Sequence, residues 1–317
     1  MSTPPRQAAV VLGTRASALA RAQTESVIGL LTAARPDLAC ETMAISTAGD
    51  RTQASGQPLP EIGGKGLFTA ELERALREGE IDLAVHSLKD LPTEDCDGVV
   101  VGAVGAREDV RDCVVARDGG SLAELPDAAR VGTSSLRRSA QLRALRSDLD
   151  VRSIRGNVDT RIAKVQSGEY DAVVLAAAGV RRLGLEGAVT EWLEADAMLP
   201  APGQGALAIQ CRAGDEAILA LLAGIDDSQA RAETTAERAF LRALGAGCAA
   251  PVAALAEIGT TRGSEIAHVR LQGLVATVDG TRMVRVHGEG DPQAIGDELA
   301  SEALAGGADR ILAATRG

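Results

Sequence analysis

In Val131-Gly132-Thr133-Ser134-Ser135-Leu136-Arg137-Arg138, an apolar strand passes through a polar loop into a basic helix. The same order recurs where residues 81–85 lead into His86-Ser87-Leu88-Lys89-Asp90-Leu91-Pro92, and where residues 151–154 lead into Arg155-Gly156-Asn157. Strands that alternate with helices in this way are typical of open α/β sheets. Such sheets bind ligands beyond the carboxyl ends of their strands, which is where these polar loops fall.

Periodicity predicts the other elements. Ser17 can cap a helix that ends near Ala34, because Pro36 cannot continue it. The apolar face predicted for this helix consists of Leu19, Val27, Leu30 and Leu31. Phe68, Leu72 and Leu76 predict one face of another helix, and further helices are predicted up to residue 146, up to about residue 165 and at about 230–244. Further strands are predicted at 8–12, 39–45, 171–176, 206–211, 253–258, 269–278 and 283–287. The final strands form a hairpin followed by helices, which predicts a small α+β domain.

The composition limits the partners of the chain. Its 317 residues include one tryptophan, one tyrosine and two phenylalanines, so it offers no aromatic platform for nucleic-acid bases. The formal net charge of -11 repels polyanions such as DNA and anionic membranes. We therefore expect no nucleic-acid or membrane partner, and any anionic ligand must bind a local cluster of basic residues.

The chain has five cysteines, at positions 40, 96, 113, 211 and 248. None stands in C-x-x-C spacing and their number is odd, which argues against a zinc site or a disulfide framework. The N-terminal residues contain no apolar segment of signal-peptide length, and no apolar run approaches membrane-spanning length. We expect a reduced, cytoplasmic protein.

Cys248 follows a glycine hinge, Gly245-Ala246-Gly247. A thiol displayed on an exposed loop can be a nucleophile or an attachment point, because the reactive thiolate needs access. The alternative is a small buried hydrophobic side chain, which is the commoner role of a lone cysteine. The residue alone favours the alternative.

Basic residues follow the predicted strands. The planar guanidinium group of arginine matches a carboxylate or phosphate with two parallel hydrogen bonds. Thr133, Ser134 and Ser135 stand just before a helix, whose free N–H groups also bind anions. The pattern indicates a ligand with several negative groups, whereas Arg143 and Arg146 fit a solvated helix face better. The basic residues of this set are Arg15, Arg137, Arg138, Arg155, Arg161, Arg181 and Arg182.

The segment from His86 to Pro92 places an acid, Asp90, beside an ammonium group, Lys89, at the end of a buried strand. A carboxylate held there could stabilise a developing cation or shuttle a proton. The alternative is a turn aspartate beside a solvated lysine, and the segment alone favours it.

Two glycine-rich stretches do not match the nucleotide sites that they resemble. Gly63-Gly64-Lys65-Gly66-Leu67-Phe68 lacks the glycine spacing and the Ser or Thr of a phosphate loop, so a flexible loop with one lysine fits better. Pro202-Gly203-Gln204-Gly205-Ala206-Leu207-Ala208 opens a strand and not a helix, which excludes a dinucleotide site. The three histidines are too scattered to indicate a metal site or a catalytic triad.

Seven segments in one order carry a resemblance. They are residues 13–17, 63–68, 86–92, 132–138, 155–161, 202–206 and 247–248. Each is weak alone, but their order and spacing are specific, and nearly the whole chain resembles the hydroxymethylbilane synthase (porphobilinogen deaminase) family.

The resemblance implies two periplasmic-binding-protein-like (type II) α/β domains and a small α+β C-terminal domain. Their expected bounds are 1–105 with 206–224, 106–205, and 225–317. It also implies a monomeric transferase that joins four porphobilinogen molecules head to tail, with loss of ammonia, onto a dipyrromethane primer bound by a thioether to Cys248. Release of hydroxymethylbilane then serves tetrapyrrole biosynthesis.

The resemblance also implies roles for single residues. Asp90 would stabilise the cationic azafulvene formed when ammonia leaves, and would handle the pyrrole N–H protons. Lys65 would lie on a mobile loop over the substrate, with Phe68 near a pyrrole ring. The residues that would hold carboxylates or position the cofactor and substrate are Arg15, Ser17, Gln23, Lys89, Thr133, Ser134, Ser135, Arg137, Arg138, Arg155, Arg161, Arg182 and Gln204.

Some positions depart from the family pattern. Ala246 stands where relatives usually have glycine, and Glu61 stands where some have a second lysine. Asp50 matches the family without a clear role.

Two other functions remain open at this stage: a binding module for an acidic small molecule, and a family member without activity. A pure anion binder gains nothing from a carboxylate buried among arginines, so Asp90 favours the enzyme over the binding module. Retention of both Asp90 and Cys248 argues against an inactive member.

Overall fold

A computed structural model gives the structure of the chain and describes residues 9–49, 69–247, 249–259 and 268–316. The predictions made for Lys65, Phe68 and Cys248, and the remarks on Asp50 and Glu61, lie outside the described residues.

The described strands form three β-sheets, and the predicted strands agree with them to within a few residues. Three described strands, Val99–Val104, Asp112–Ala116 and Glu191–Leu193, were not predicted. One five-stranded sheet contains strands from residues 10–104 and one strand from residues 207–212. A second five-stranded sheet is formed by residues 112–193, and the last three strands form a small sheet. The strands are β1 (Val10–Thr14), β2 (Cys40–Ala44), β3 (Leu83–Ser87), β4 (Val99–Val104), β5 (Asp112–Ala116), β6 (Arg130–Gly132), β7 (Asp150–Arg152), β8 (Ala172–Ala176), β9 (Glu191–Leu193), β10 (Leu207–Arg212), β11 (Val252–Ile258), β12 (Val269–Ala276) and β13 (Met283–Gly290).

Helices follow most strands, as the alternating pattern predicts. Among the described residues, no helix combines the length and the apolar composition needed to cross a bilayer. The helices are α1 (Ala18–Ala34), α2 (Ala70–Glu78), α3 (Leu136–Leu145), α4 (Val158–Gln166), α5 (Ala177–Arg182), α6 (Glu216–Leu222), α7 (Ser228–Ala243), α8 (Pro292–Ala303) and α9 (Asp309–Arg316).

The chain divides into two compact units. The first contains the described residues of Met1–Leu91, Asp95–Ala106 and Leu207–Asp227. Its sheet has the order β2-β1-β3-β10-β4, in which β1 runs parallel to β2 and β3, and β10 runs antiparallel to β3 and β4. The strand β10 therefore inserts into a sheet whose other strands come from residues 10–104.

Helix α1 packs on the first sheet through a face that differs from the predicted one. Val27 and Leu31 are buried, whereas Leu30 is 43% exposed and its predicted place in the apolar face is wrong. Each residue of an α-helix turns the side chain by about 100°, so Leu30 points away from the face that Leu31 buries. Gln23 and Thr24 fill the buried face instead.

The second unit contains Pro92–Glu94, Arg107–Ala206 and the described residues of Ser228–Gly317. Its larger sheet has the order β7-β6-β8-β5-β9. The strand β6 runs parallel to β7 and β8, and β5 runs antiparallel to β8 and β9. Both large sheets thus share one pattern, with a single antiparallel strand in fourth place, and the predicted pair of α/β domains is confirmed.

The small sheet, β11-β12-β13, is antiparallel throughout and packs against α7 and α8, as the predicted α+β domain requires. Phe240 and Leu299 lie in its core. Gly273 allows the ring of Phe240 to lie on β12, because a Cβ at this position would be 2.5 Å from the ring. Any larger residue there would displace the only aromatic side chain of this core cluster.

Arg107 and Glu237 join the two sheets of the second unit through buried polar contacts. Glu237 is completely buried, pairs with Arg107 at 2.8 Å, and accepts hydrogen bonds from the backbone N–H groups of Gly203 and Ala256. Removing one partner of such a pair leaves the other charge buried and uncompensated, which costs about 3–5 kcal/mol. The sequence analysis did not single out either residue.

Candidate functional site

Three hydroxyl side chains build the loop between β6 and α3. Thr133 is buried and its Oγ1 accepts a hydrogen bond from the N–H of Ser135 at 3.2 Å. Ser134 donates to the carbonyl of Ile154 at 2.5 Å, and Ser135 caps α3 by accepting from the N–H of Arg138. Ser134 and Ser135 remain half-buried. The loop is thus held by its own side chains at the N-terminus of a ten-residue helix, a position that favours anions.

Arg137 and Arg138, predicted to hold ligand carboxylates, bond inside the protein. Both are buried, and both donate to the carboxylate of Asp112 at 2.8 Å. Arg137 also donates to the carbonyl of Leu199, and Arg138 to that of Val174. The Nη1 of Arg137 and both terminal nitrogens of Arg138 thus donate within the protein, and contact of these two groups with a ligand stays a prediction.

This cluster nevertheless carries an excess of positive charge. Two guanidinium groups face one carboxylate, and the Nε atoms of Arg137 and Arg138 are buried without a hydrogen-bond partner. Burial opposes the ionisation of Asp112, but the charges of Arg137 and Arg138 outweigh it and hold the pKa of that carboxyl well below its usual range. The two guanidinium groups and the one carboxylate therefore leave a net positive charge of one beneath the N-terminus of α3.

Gln204 is likewise an internal residue and not a surface ligand. Its side chain is fully buried, and its Nε2 donates to the carbonyl of Val110 and to the Oδ1 of Asp112, each at 2.8 Å. Its backbone carbonyl accepts a hydrogen bond from the Nε of Arg107. The prediction that Gln204 holds or positions the cofactor and substrate stays a prediction, and its Nε2 already serves internal acceptors.

Three other predicted arginines of the second unit are half-buried: Arg155 lies in the loop after β7, Arg161 on α4 and Arg182 at the end of α5. Arg161 donates from Nε to the carbonyl of Gly156 at 2.8 Å, and Arg182 donates to the carbonyl of Gly205 at 2.6 Å. Burial lowers the pKa of Arg182 from its ordinary value, an effect that the negative charge of Glu108 partly offsets. Arg155 follows β7 in the same loop as Gly156. These side chains remain the best placed to reach an anionic ligand.

The other basic residues have structural partners. Arg181 pairs with Asp109 at 3.0 Å and stacks over the ring of Trp192. The interpretation of Arg143 and Arg146 as a solvated helix face is wrong, because Arg143 donates to the carbonyl of Val278 and Arg146 donates to three carbonyls between residues 122 and 125.

In the first unit, β3 leads into a 3-10 turn at Leu88–Asp90, as predicted for the end of a buried strand. Leu88 and Leu91 are buried on either side of Lys89 and Asp90. Lys89 is half-buried, whereas Asp90 is exposed. The expectation that Asp90 is a buried carboxylate is therefore wrong: the two leucines anchor the turn and leave the acid at the surface.

Predicted residues of the first unit gather around the ends of β1 and β3, which pair in parallel. Arg15 directly follows β1, and Ser17 caps α1 by accepting from the N–H of Ala20. Gln23 is buried, and its Nε2 donates to the Oγ of Ser87 at 2.8 Å. Because the carboxyl ends of parallel strands meet at one edge, Arg15 and the Lys89–Asp90 turn share that edge of the sheet.

His86 is a buried residue of this region that the sequence analysis left without a role. It lies on β3, and its Nε2 has no hydrogen-bond partner. Burial lowers its pKa from 6.5 to about 4, with the Gln210 amide opposing this change and the charge of Arg15 adding to it. The imidazole is therefore neutral at neutral pH, which avoids a second positive charge beside Arg15.

We expect His86 to make the protein less stable in mild acid. Between pH 6.5 and pH 4 the unfolded chain binds a proton that the folded chain excludes. The free energy of unfolding should thus decrease by about 3 kcal/mol as the pH is lowered across this window. Urea unfolding at pH 7 and pH 4.5 checks this, with His86→Gln as the comparison, because glutamine does not titrate. An equal pH dependence in both proteins would contradict the expectation.

Sequence reasoning missed two buried polar residues that bond several buried partners, Asp112 and Glu237. Asp112 had one available signal, since it is a charged residue at the start of the apolar run 113–116. Glu237 lay on the predicted helix face without such a signal. Within the described ranges, no three His, Cys, Asp or Glu side chains come together as metal ligands, and the four described cysteines are free thiols.

Comparisons with known proteins agree over almost the whole chain. Residues 10–220 match the family model "Porphobilinogen deaminase, dipyromethane cofactor binding domain", and residues 231–305 match "Porphobilinogen deaminase, C-terminal domain". A porphobilinogen deaminase of Roseiflexus castenholzii is 50% identical over 307 residues, which cover 96% of this chain and 98% of that protein. One of Brevibacillus brevis is 46% identical over 303 residues, covering 95% of this chain and 96% of its own length.

A solved structure aligns more weakly. The periplasmic aliphatic sulphonate binding protein SsuA of Escherichia coli aligns over 74% of this chain and 70% of its own, with 15% identity and a TM-score of 0.38. The family assignment comes from the sequence relatives.

Proposed function

Because the chain belongs to the porphobilinogen deaminase family, it is a transferase of tetrapyrrole synthesis that uses a dipyrromethane cofactor, and we propose that it joins four porphobilinogen molecules head to tail and releases hydroxymethylbilane. Each condensation forms one carbon–carbon bond and releases one ammonia. Family membership thus favours the enzyme over the pure binding module.

The cationic cluster of the second unit is the observation that carries this proposal. Each pyrrole of the substrate has an acetate and a propionate, so the growing chain is a polyanion. An acidic protein can hold it only at a local excess of positive charge, and the Asp112–Arg137–Arg138 cluster supplies one beneath the capped start of α3. The orphaned Nε atoms of the two arginines are consistent with a negative group nearby.

The donor set also fits a dipyrromethane with its carboxylates. Five half-buried polar or cationic side chains would hold those groups: Ser134, Ser135 and Arg155 in the loops at strand ends, Arg161 on α4 and Arg182 at the end of α5. When bound, the cofactor supplies the pyrrole carbon to which the first substrate is joined. Cys248 would be its attachment point, and a thioether there uses the thiolate as nucleophile.

In the first unit, Asp90 would act on the reacting substrate. Its exposed carboxylate can stabilise the positive charge that develops as ammonia leaves, and can accept the pyrrole N–H proton. Lys89 and Arg15, at the same sheet edge, would bind substrate carboxylates. Ser17 and Gln23 would position this edge, since Gln23 bonds Ser87 just before the Lys89–Asp90 turn.

For Lys65 and Phe68 we propose the roles that the resemblance implies: Lys65 on a loop over the substrate, and Phe68 near a pyrrole ring. The proposed domains remain 1–105 with 206–224, 106–205, and 225–317. The separate hydrophobic cores of the large and small sheets of the second unit support the last division. We also propose that the protein is a monomer and that it works in the cytoplasm. The exposed large hydrophobic residues of the described ranges lie on four different elements, which supports the monomer.

The test is turnover of porphobilinogen by the purified chain, followed by ammonia release and by mass spectrometry of the product. Arg155→Met should raise the KM about tenfold or more, because one hydrogen bond to a charged group contributes about 1.5–3 kcal/mol. Arg152→Met is the matched control, since Arg152 is exposed and pairs with Asp150. An unmodified substrate after incubation with the wild-type chain would refute the proposed function.

A further inference from the structure

Asp112 is the centre of the buried cluster in the second unit. Its two oxygens accept hydrogen bonds from Arg137, Arg138 and Gln204, each at 2.8 Å, and the carboxylate is completely buried. Without it, two guanidinium groups would lie side by side in a medium of low dielectric constant, where like charges repel strongly. The carboxylate therefore fixes where both arginines point.

Gln204 in turn fixes Asp112. Its side-chain amide nitrogen bridges Asp112 and the carbonyl of Val110, and its backbone carbonyl accepts a hydrogen bond from Arg107. Arg107 is bonded to Glu237 on α7, the helix that ends five residues before Cys248. One buried glutamine thus links the arginine cluster under α3 to the helix that precedes the cysteine.

We propose that Gln204 and Asp112 are positioning residues for the cofactor and substrate carboxylates, acting through Arg137 and Arg138 without touching the ligand. This inference rests on the proposed function. Gln204 holds Asp112, Asp112 holds the two guanidinium groups, and the resulting single excess charge lies beneath the loop that carries Ser134 and Ser135. The role predicted for Gln204 as a ligand contact becomes an indirect one.

The test replaces Gln204 by methionine, which has a similar shape but no amide. We expect the KM for porphobilinogen to rise about tenfold or more with a smaller change in kcat, as for a lost positioning contact. Intact mass should show a smaller fraction of chains carrying the dipyrromethane. The melting-temperature difference between loaded and cofactor-free protein should shrink as well.

Gln141→Met is the matched control. Gln141 is equally buried and bonds the backbone of Leu199 and the backbone carbonyl of Arg137, but it does not contact Asp112. It should lose stability without the changes in KM or in cofactor loading. Equal behaviour of the two variants would overturn the proposal, because both glutamines would then be merely structural.

Gln204→Glu is a second variant that keeps the shape and sets a carboxylate against Asp112. A larger loss of loading than in Gln204→Met would support the proposal, and normal loading would overturn it. If neither Gln204 variant folds while Gln141→Met does, the role is structural and the proposal fails. The wild-type protein is assayed in parallel: if it neither turns over substrate nor carries the dipyrromethane, the proposed function itself has failed.

Discussion

Cys248→Ala is expected to give a folded chain with no turnover and the mass of the bare polypeptide. The wild-type protein should carry an excess mass equal to two linked pyrrole units. The reason is covalent: a methyl group cannot form the thioether, and without an attached primer there is nothing onto which the first porphobilinogen can be joined. Intact mass under denaturing conditions, together with ammonia release, measures both results.

Cys40→Ala is the control for this prediction. Cys40 is a free, half-buried thiol on the edge strand β2, and its replacement should keep both the added mass and the activity. Normal activity in a folded Cys248→Ala protein would rule out the covalent primer. So would wild-type protein that is folded, never stripped of cofactor, and equal in mass to the bare chain.

Asp90→Asn is expected to lower kcat by about 10²–10⁴-fold, the usual contribution of a positioned acid–base group. Asparagine keeps the size of the side chain but can neither accept the pyrrole proton nor balance the charge that develops as ammonia leaves. Because Asp90 is exposed, the free energy of unfolding should change by no more than about 0.5 kcal/mol. Steady-state kinetics and urea unfolding test the two parts separately.

Asp97→Asn is the matched control, since Asp97 is also an exposed carboxylate of the first unit. It should leave both kcat and stability unchanged. A folded Asp90→Asn protein with wild-type kcat would remove Asp90 from the mechanism. An equal loss in both variants would show a general effect of surface charge instead.

The elements of this fold could be predicted because their signals are local. Ser17 caps α1 and Ser135 caps α3 through bonds to backbone groups three residues away. The alternation of apolar strands with polar loops likewise needs only neighbouring residues. The predicted face of α1 was wrong only at Leu30, where hydrophobicity suggested burial and the helical turn placed the side chain outside.

The site was predicted less well, because the partner of a charged side chain is set by distant parts of the chain. Arg137 and Arg138 read as ligand contacts in sequence, but Asp112 stands 25 and 26 positions away and bonds both guanidinium groups. Gln204 reads as part of a glycine-rich motif, and its bond to Asp112 spans 92 positions. Asp90 was expected to be a carboxylate buried among arginines, whereas the turn exposes it.

The sequence by itself determined most of the strands and helices, the family, and which residue types could meet a polyanion, since these depend on local periodicity and on the spacing of motifs. Only the tertiary structure decided which of those residues face inward. Burial makes an unpaired charge costly, so the fold gives Arg137 and Arg138 an internal carboxylate. It leaves Arg155, Arg161 and Arg182 half-buried.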